Sequence, residues 1–172
     1  LNSENFGKIP SENDILKYKA LSNPQDIVLT ENGAYKKVDG VKVDFGAIAK
    51  GYAVGACREI AAKYNITCGT INIAGNVYAI GRYTKNGENR KYKIAVTDPR
   101  TLENDNSYFC KAEIEETSVS VSGDYERYFI DNGKRYCHII DSVTGKPMDN
   151  GIISVVIIDK NAALADAFST AV

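Results

Sequence analysis

Much of what common catalytic machinery is built from is missing here. There is one histidine, His138, and no G-x-S-x-G elbow, so Ser118, Ser120 and Ser122 make poor histidine-activated nucleophiles. The four cysteines, Cys57, Cys68, Cys110 and Cys137, never reach C-x-x-C spacing, which argues against zinc and dithiol redox chemistry. A domain of this size does not need disulfides, and free thiols are expected. No apolar run approaches the roughly 20 residues that span a bilayer. There is no Walker loop, G-x-G-x-x-G, internal repeat, low-complexity stretch or linker. A formal net charge of -1 gives nothing to draw nucleic acid or anionic lipid. The opening Leu-Asn-Ser-Glu-Asn-Phe-Gly lacks the basic start and apolar middle of a signal peptide. An initiator Met is also lacking, and Val172 falls inside an expected helix, so a fragment cut at both ends is expected.

What is present is an ordinary globular composition, 44% hydrophobic and 25% charged, at a length that suits one domain. Ser11 to Leu21 reads as a helix capped by Ser11. Asp26–Thr30 and Ala34–Val38 read as strands, and Asp39-Gly40 predicts a hairpin from the latter into Val41–Phe45. After Gly46 comes a helix running to Lys63, with Ile48, Tyr52, Cys57 and Ile60 at roughly helical spacing. Gly51 and Gly55 weaken that helix by about 1 kcal/mol each. Such glycines permit either close helix packing on a sheet or approach of a ligand to free N–H groups. The spacing leaves both readings open.

Residues 69–82 predict a strand pair around Ala74-Gly75-Asn76, and 90–97 and 108–115 predict two more strands flanking a polar loop. Val119 and Val121 alternate with Ser118, Ser120 and Ser122, the pattern of a half-buried strand. Asp131-Asn132-Gly133 predicts a hairpin leading into the run that carries His138. Gly151–Ile158 reads as a buried strand, followed by a last helix capped by Asn161. Strands outnumber helices and mostly follow one another directly, so the fold class is α+β with a largely antiparallel sheet and packed helices.

Two features carry possible chemistry. On the last helix Leu164 and Phe168 share one face, while Asp166 and Thr170 stack a turn apart, about 200° round. A carboxylate and a hydroxyl so placed can hold a hard cation such as Mg²⁺. They can equally be a solvated acid and a Thr bonded back to its own helix. His138 belongs to the residue type that moves protons near neutral pH, though a lone histidine is more often structural. Asp141 could orient it, but strand alternation would put Asp141 on the opposite face.

Six segments also resemble, in order, the motifs of the ApbE family of flavin transferases. They are Val-Asp-Phe-Gly-Ala-Ile-Ala-Lys-Gly-Tyr (43–52), Ile-Asn-Ile-Ala-Gly-Asn (71–76), Ser-Gly-Asp-Tyr-Glu-Arg-Tyr-Phe (122–129), Arg-Tyr-Cys-His-Ile-Ile-Asp (135–141), Thr-Gly-Lys-Pro (144–147) and Ala-Leu-Ala-Asp-Ala-Phe-Ser-Thr (163–170). The resemblance implies FAD as substrate, Mg²⁺ as activator, and transfer of FMN to a Thr or Ser hydroxyl of an acceptor protein with release of AMP. It implies Asp166, Thr170 and the carbonyl of Ala47 as metal ligands, Asp44, Lys50 and Ile140 against FAD, and His138 as the base. Hydrolysis of FAD to FMN and AMP, or flavin binding without turnover, are the alternatives.

The resemblance further implies an acceptor among redox-pump subunits or exported flavoproteins. It also implies an extracytoplasmic location, with the membrane reached only through an anchor outside this chain. Three positions depart from the family pattern: Cys137 stands where many relatives have a second His, Ala74 replaces a Gly, and Ser142 replaces a Pro. The resemblance also implies that an N-terminal part of the family domain, with further flavin contacts, is expected to lie outside these residues.

Overall fold

The computed structural model describes residues 7–101 and 107–172. In chain order α1 (Glu12–Ala20), β1 (Ile27–Thr30), β2 (Gly33–Lys36) and α2 (Ala49–Lys63) come first. β3 (Gly69–Ile73), β4 (Asn76–Ile80), β5 (Tyr83–Lys85), β6 (Glu88–Arg90), β7 (Tyr92–Thr97) and β8 (Tyr108–Ile114) lead to β9 (Thr117–Gly123). β10 (Tyr128–Asp131), β11 (Lys134–Cys137), β12 (Ser154–Asp159) and α3 (Ala162–Ala171) complete the order. All strand pairing among the described residues is antiparallel, as the sequence predicts for this α+β class. The chain divides into two compact units, one of residues up to Asp44 with Arg127–Asn150, the other of Phe45–Glu126 with Gly151–Val172.

The second unit is built on a four-stranded sheet in the order β12-β9-β4-β3. Side chains alternate across each strand, so the sheet supports two separate cores. On one face Tyr78 and Ile80 of β4 meet Val54 and Ala61 of α2 and Ala162 of α3. On the other, Ala79 and Val119 meet Ile114 of β8, with Tyr92 and Ile94 of β7 alongside. β9 is therefore covered on both faces, not half-buried: Ser118 and Ser120 are as fully buried as Val119. β12 corrects the sequence reading in the other direction. It begins only at Ser154 and lies at the sheet edge, leaving Ile158 exposed.

Three hairpins turn through two residues that both have positive φ: Ala74-Gly75, Asn86-Gly87 and Asn132-Gly133. That geometry matches the right-handed twist of the strands it joins. The second joins β5 to β6, a hairpin the sequence reading missed although it carries Asn-Gly. At the first, a residue with a Cβ, Ala74, sits at φ 48°, and Asn72 steadies the turn by accepting from the Gly75 N–H at 3.1 Å.

In the first unit Ser11 caps α1, its Oγ accepting from Asp14 N at 3.2 Å. β1 and β2 pair with each other through the turn at residues 31–32. The predicted hairpin from β2 into Val41–Phe45 does not form: β2 stops at Lys36, short of the Val38 that a two-residue turn at Asp39-Gly40 requires, and its pairing is with β1. Residues 41–45 instead follow the Asp39-Gly40 turn without joining a sheet, held in part by Lys36 Nζ donating to Val41 O at 2.9 Å. β10 and β11 form the hairpin predicted at Asn132-Gly133, with Phe129 and Tyr136 stacked across it at 5.3 Å between ring centroids.

Candidate functional site

The first four N–H groups of a helix lack partners inside it, and a side chain normally satisfies one. Ile48, at the cap of α2, has no suitable side chain. The cap comes from elsewhere: Gly51 N donates to Oδ2 of Asp166 on α3 at 2.8 Å. Close approach makes this possible. A Cβ at Gly51 would overlap the Ala162 carbonyl oxygen and lie 2.6 Å from the Asp166 Cβ. The close neighbour of this glycine is another helix, α3, and not the sheet that the packing reading named. Gly55 has nothing within 4 Å.

α3 is turned inside out relative to a simple amphipathic helix. Leu164 and Phe168 point away from the sheet and are about half exposed, whereas Asp166 is 2% exposed and Ser169 equally buried. The reading of Asp166 as a solvated acid is overturned. Its carboxylate is buried against the N-terminal end of α2, whose partial positive charge favours an anion. Nor is Thr170 bonded back to its own helix. Its Oγ1 lies 3.0 Å from Ser122 Oγ, which lies 2.8 Å from Ser169 Oγ, and Ser169 in turn donates to the Asp166 carbonyl at 2.8 Å.

Ala47 occupies the turn immediately before α2, and Lys50 lies in its first turn. The second unit thus gathers Ala47, Lys50, Asp166 and Thr170 onto α2, its leading turn and α3. No group of three or more His, Cys, Asp or Glu side chains among the described residues is placed to hold a metal. A cation here would rest on one carboxylate, supplemented by hydroxyl, carbonyl and ligand oxygens. That all-oxygen donor set fits Mg²⁺ and would not suit zinc.

In the first unit His138 follows β11 directly and is exposed. One carbonyl holds it twice: Arg127 O receives the His138 main-chain N–H at 3.0 Å and lies 3.1 Å from ring Nδ1. A carbonyl can only accept, so the proton sits on Nδ1 and neutral His138 keeps its Nε2 lone pair. Asp141, the candidate orienting acid, is committed elsewhere. It accepts from Val143 N and Thr144 Oγ1, both at 2.8 Å. These two bonds, the first above all, hold its carboxyl below the usual carboxylate range. Ile140 is exposed and bridges to Pro147, and Asp44 lies exposed in the 41–45 segment.

The sequence reading missed the polar seam beneath α3. Ser118 Oγ, Ser120 Oγ and both polar atoms of Asn76 are buried there without hydrogen-bond partners among the described residues. The signal was available, since serine alternates along β9 on the same side as Ser122, the residue that meets Thr170. Also missed was Glu116, which binds Arg58 at 2.9 Å and Gly81 N at 2.7 Å and lies 3.3 Å from Tyr78 OH. Burial works against its charge, but the Arg58 and Gly81 hydrogen bonds outweigh that and lower its pKa.

A model of the ApbE family matches residues 2–172, and the chain belongs to that family. It is 33% identical over 164 residues to the FAD:protein FMN transferase of Klebsiella pneumoniae (strain 342), a match covering 94% of this chain and 48% of that one. Against the ApbE protein of Thermotoga maritima it aligns with a TM-score of 0.86 at 36% identity, covering 99% of this chain and 53% of the other. The apo flavinyl transferase ApbE of Pseudomonas stutzeri gives 0.78 at 31%, covering 95% and 49%. The chain therefore spans about half the length of the relatives it matches. No helix among the described residues is long and apolar enough to cross a membrane.

Proposed function

We propose that this protein transfers FMN from FAD to a Thr or Ser hydroxyl of an acceptor protein and releases AMP. The observation that carries the reading is the buried Asp166 carboxylate, bonded to Gly51 N at the start of α2 on a chain matched to the family over residues 2–172. In this reading Asp166, Thr170 and the Ala47 carbonyl hold Mg²⁺, which would supply positive charge against a diphosphate. Asp44, Lys50 and Ile140 lie against FAD.

His138 acts as general base. Its Nδ1 proton is committed to the Arg127 carbonyl, so Nε2 takes the proton of the acceptor hydroxyl. The hydroxyl oxygen bonds to the phosphorus of the FMN half, and the bond from that phosphorus to the AMP oxygen breaks. A positioned base of this kind contributes about 10²–10⁴-fold. By the same family resemblance, the acceptor is a redox-pump subunit or exported flavoprotein. The location is extracytoplasmic.

The test is incubation of the protein with FAD, Mg²⁺ and a candidate acceptor, followed by mass spectrometry. The mass of FMN added to an acceptor Thr or Ser is the expected result. Free FMN with an unmodified acceptor means hydrolysis, and intact FAD means binding alone. Either one overturns the transferase reading.

A further inference from the structure

The hydroxyls around Thr170 form an ordered chain whose proton directions follow from chemistry. Ser169 Oγ lies 2.8 Å from the Asp166 carbonyl oxygen. A carbonyl cannot donate, so the single hydroxyl proton of Ser169 is spent there. In its 2.8 Å contact with Ser122, Ser169 must therefore accept, and Ser122 spends its own proton on Ser169. It follows that in the 3.0 Å contact between Ser122 and Thr170 Ser122 accepts and Thr170 donates. The Thr170 proton is thus drawn toward β9, and its oxygen lone pairs are left for another partner. A hydroxyl can ligate a cation only through those lone pairs, with its proton turned away.

We propose that Ser122 and Ser169 are positioning residues that set the Thr170 hydroxyl for cation binding, through the relay Thr170 to Ser122 to Ser169 to the Asp166 carbonyl. The inference rests on the metal reading of Asp166 and Thr170 and deepens it. It also accounts for serines at both 122 and 169: each must accept one hydrogen bond and donate another, which alanine cannot do. The relay closes on the main chain of Asp166 itself. One residue therefore supplies the carboxylate and the acceptor that fixes its companion ligand.

The experiment titrates the full chain with Mn²⁺ alone, read by electron paramagnetic resonance, and records the melting of each metal-free variant. Ser169→Ala should weaken Mn²⁺ about tenfold, the lower end of what partners behind a ligand contribute, because Ser122 can then turn its proton onto Thr170. Ser122→Ala should weaken it similarly, the double variant should lose no more than either single, and Ser122→Thr should restore binding. Equal Mn²⁺ affinity in Ser169→Ala, with Thr170→Ala weakened, overturns the relay and leaves the metal site standing. Additive losses that track metal-free melting also overturn it, as a packing effect. Unchanged affinity in both Thr170→Ala and Asp166→Asn removes the metal reading, and the relay goes with it.

Discussion

Gly51 and Asp166, 115 residues apart in the chain, are joined by a 2.8 Å hydrogen bond from main-chain nitrogen to carboxylate oxygen. The glycine leaves room for the acid, and the acid satisfies the glycine's N–H. Gly51→Ala should therefore destabilise the protein by about 3 kcal/mol, since a methyl group meets the Ala162 carbonyl and the Asp166 Cβ, neither of them the far end of a flexible side chain. Urea denaturation measures this directly. A loss below about 0.5 kcal/mol would mean that α3 moves aside freely.

Asp166 has a capping role and a proposed metal role, and two substitutions separate them. Asp166→Asn keeps an oxygen for the Gly51 N–H, so stability should fall by no more than about 1 kcal/mol. Asp166→Ala strands that N–H and should cost about 2 kcal/mol. Both variants should lose Mn²⁺ binding. If Asn binds Mn²⁺ as the native chain does, the carboxylate is a cap and nothing more.

His138 makes a prediction that needs no substrate. Nitrogen-15 NMR of the neutral ring should show the proton on Nδ1, where the Arg127 carbonyl holds it. A dominant Nε2–H form would leave no lone pair facing outward and would end its role as base. His138→Ala should slow FMN transfer about 10²–10⁴-fold while FAD binding persists. A normal rate in that variant counts equally against the assignment.

Glu116 gives a pH dependence of definite sign. Its folded-state pKa is lowered, against burial, by the hydrogen bonds from Arg58 and Gly81 N. The stabilisation is thus complete above the unfolded-state value of about 4.3. It disappears as pH falls through the lower folded-state value. Glu116→Gln should lower stability by about 1 kcal/mol at pH 7, discounted because the pair is partly exposed. The difference from the native chain should shrink below pH 4. A difference that instead grows on acidification would contradict the assignment.

Ala74 sits at φ 48° between β3 and β4, where a Cβ is disfavoured. Ala74→Gly should stabilise by a few tenths to about 1 kcal/mol, with strain relief offset by the greater freedom of glycine in the unfolded chain. Thermal melting of the single variant checks it. A lower melting temperature would show that Asn72 already holds the turn at no cost.

Elements with local causes were legible in the sequence. Ser11 and Asn161 mark the helix starts they cap, and Asn132-Gly133 marks its hairpin, because each signal lies within a few residues of its effect. What misled was non-local. Val41–Phe45 has strand character, yet the strand before it stops at Lys36 and pairs with Ile27–Thr30, leaving four residues where the tight turn needs two. Tyr52 and Ile60 recur at helical spacing in α2, but the close approach at Gly51 puts the smaller Gly51, Val54 and Ala61 inside: Tyr52 is 72% exposed and Val54 is 0%. The face carrying Asp166 and Thr170 could be read from helical periodicity, as could its angle to Leu164. Its inward direction could not, because hydrophobicity alone points the helix the other way. The hydroxyl relay joins residues 47 and 48 positions apart, beyond any pattern in the sequence.

One missing methyl group acts as a gauge. Where the second helix of this chain meets the last one, the gap is set by the hydrogen atom that stands for a side chain at position 51. The acid and the threonine both ride on the element so gauged. Widening the gap would carry them off as a rigid pair, so neither could be repositioned from that contact without dragging the other along.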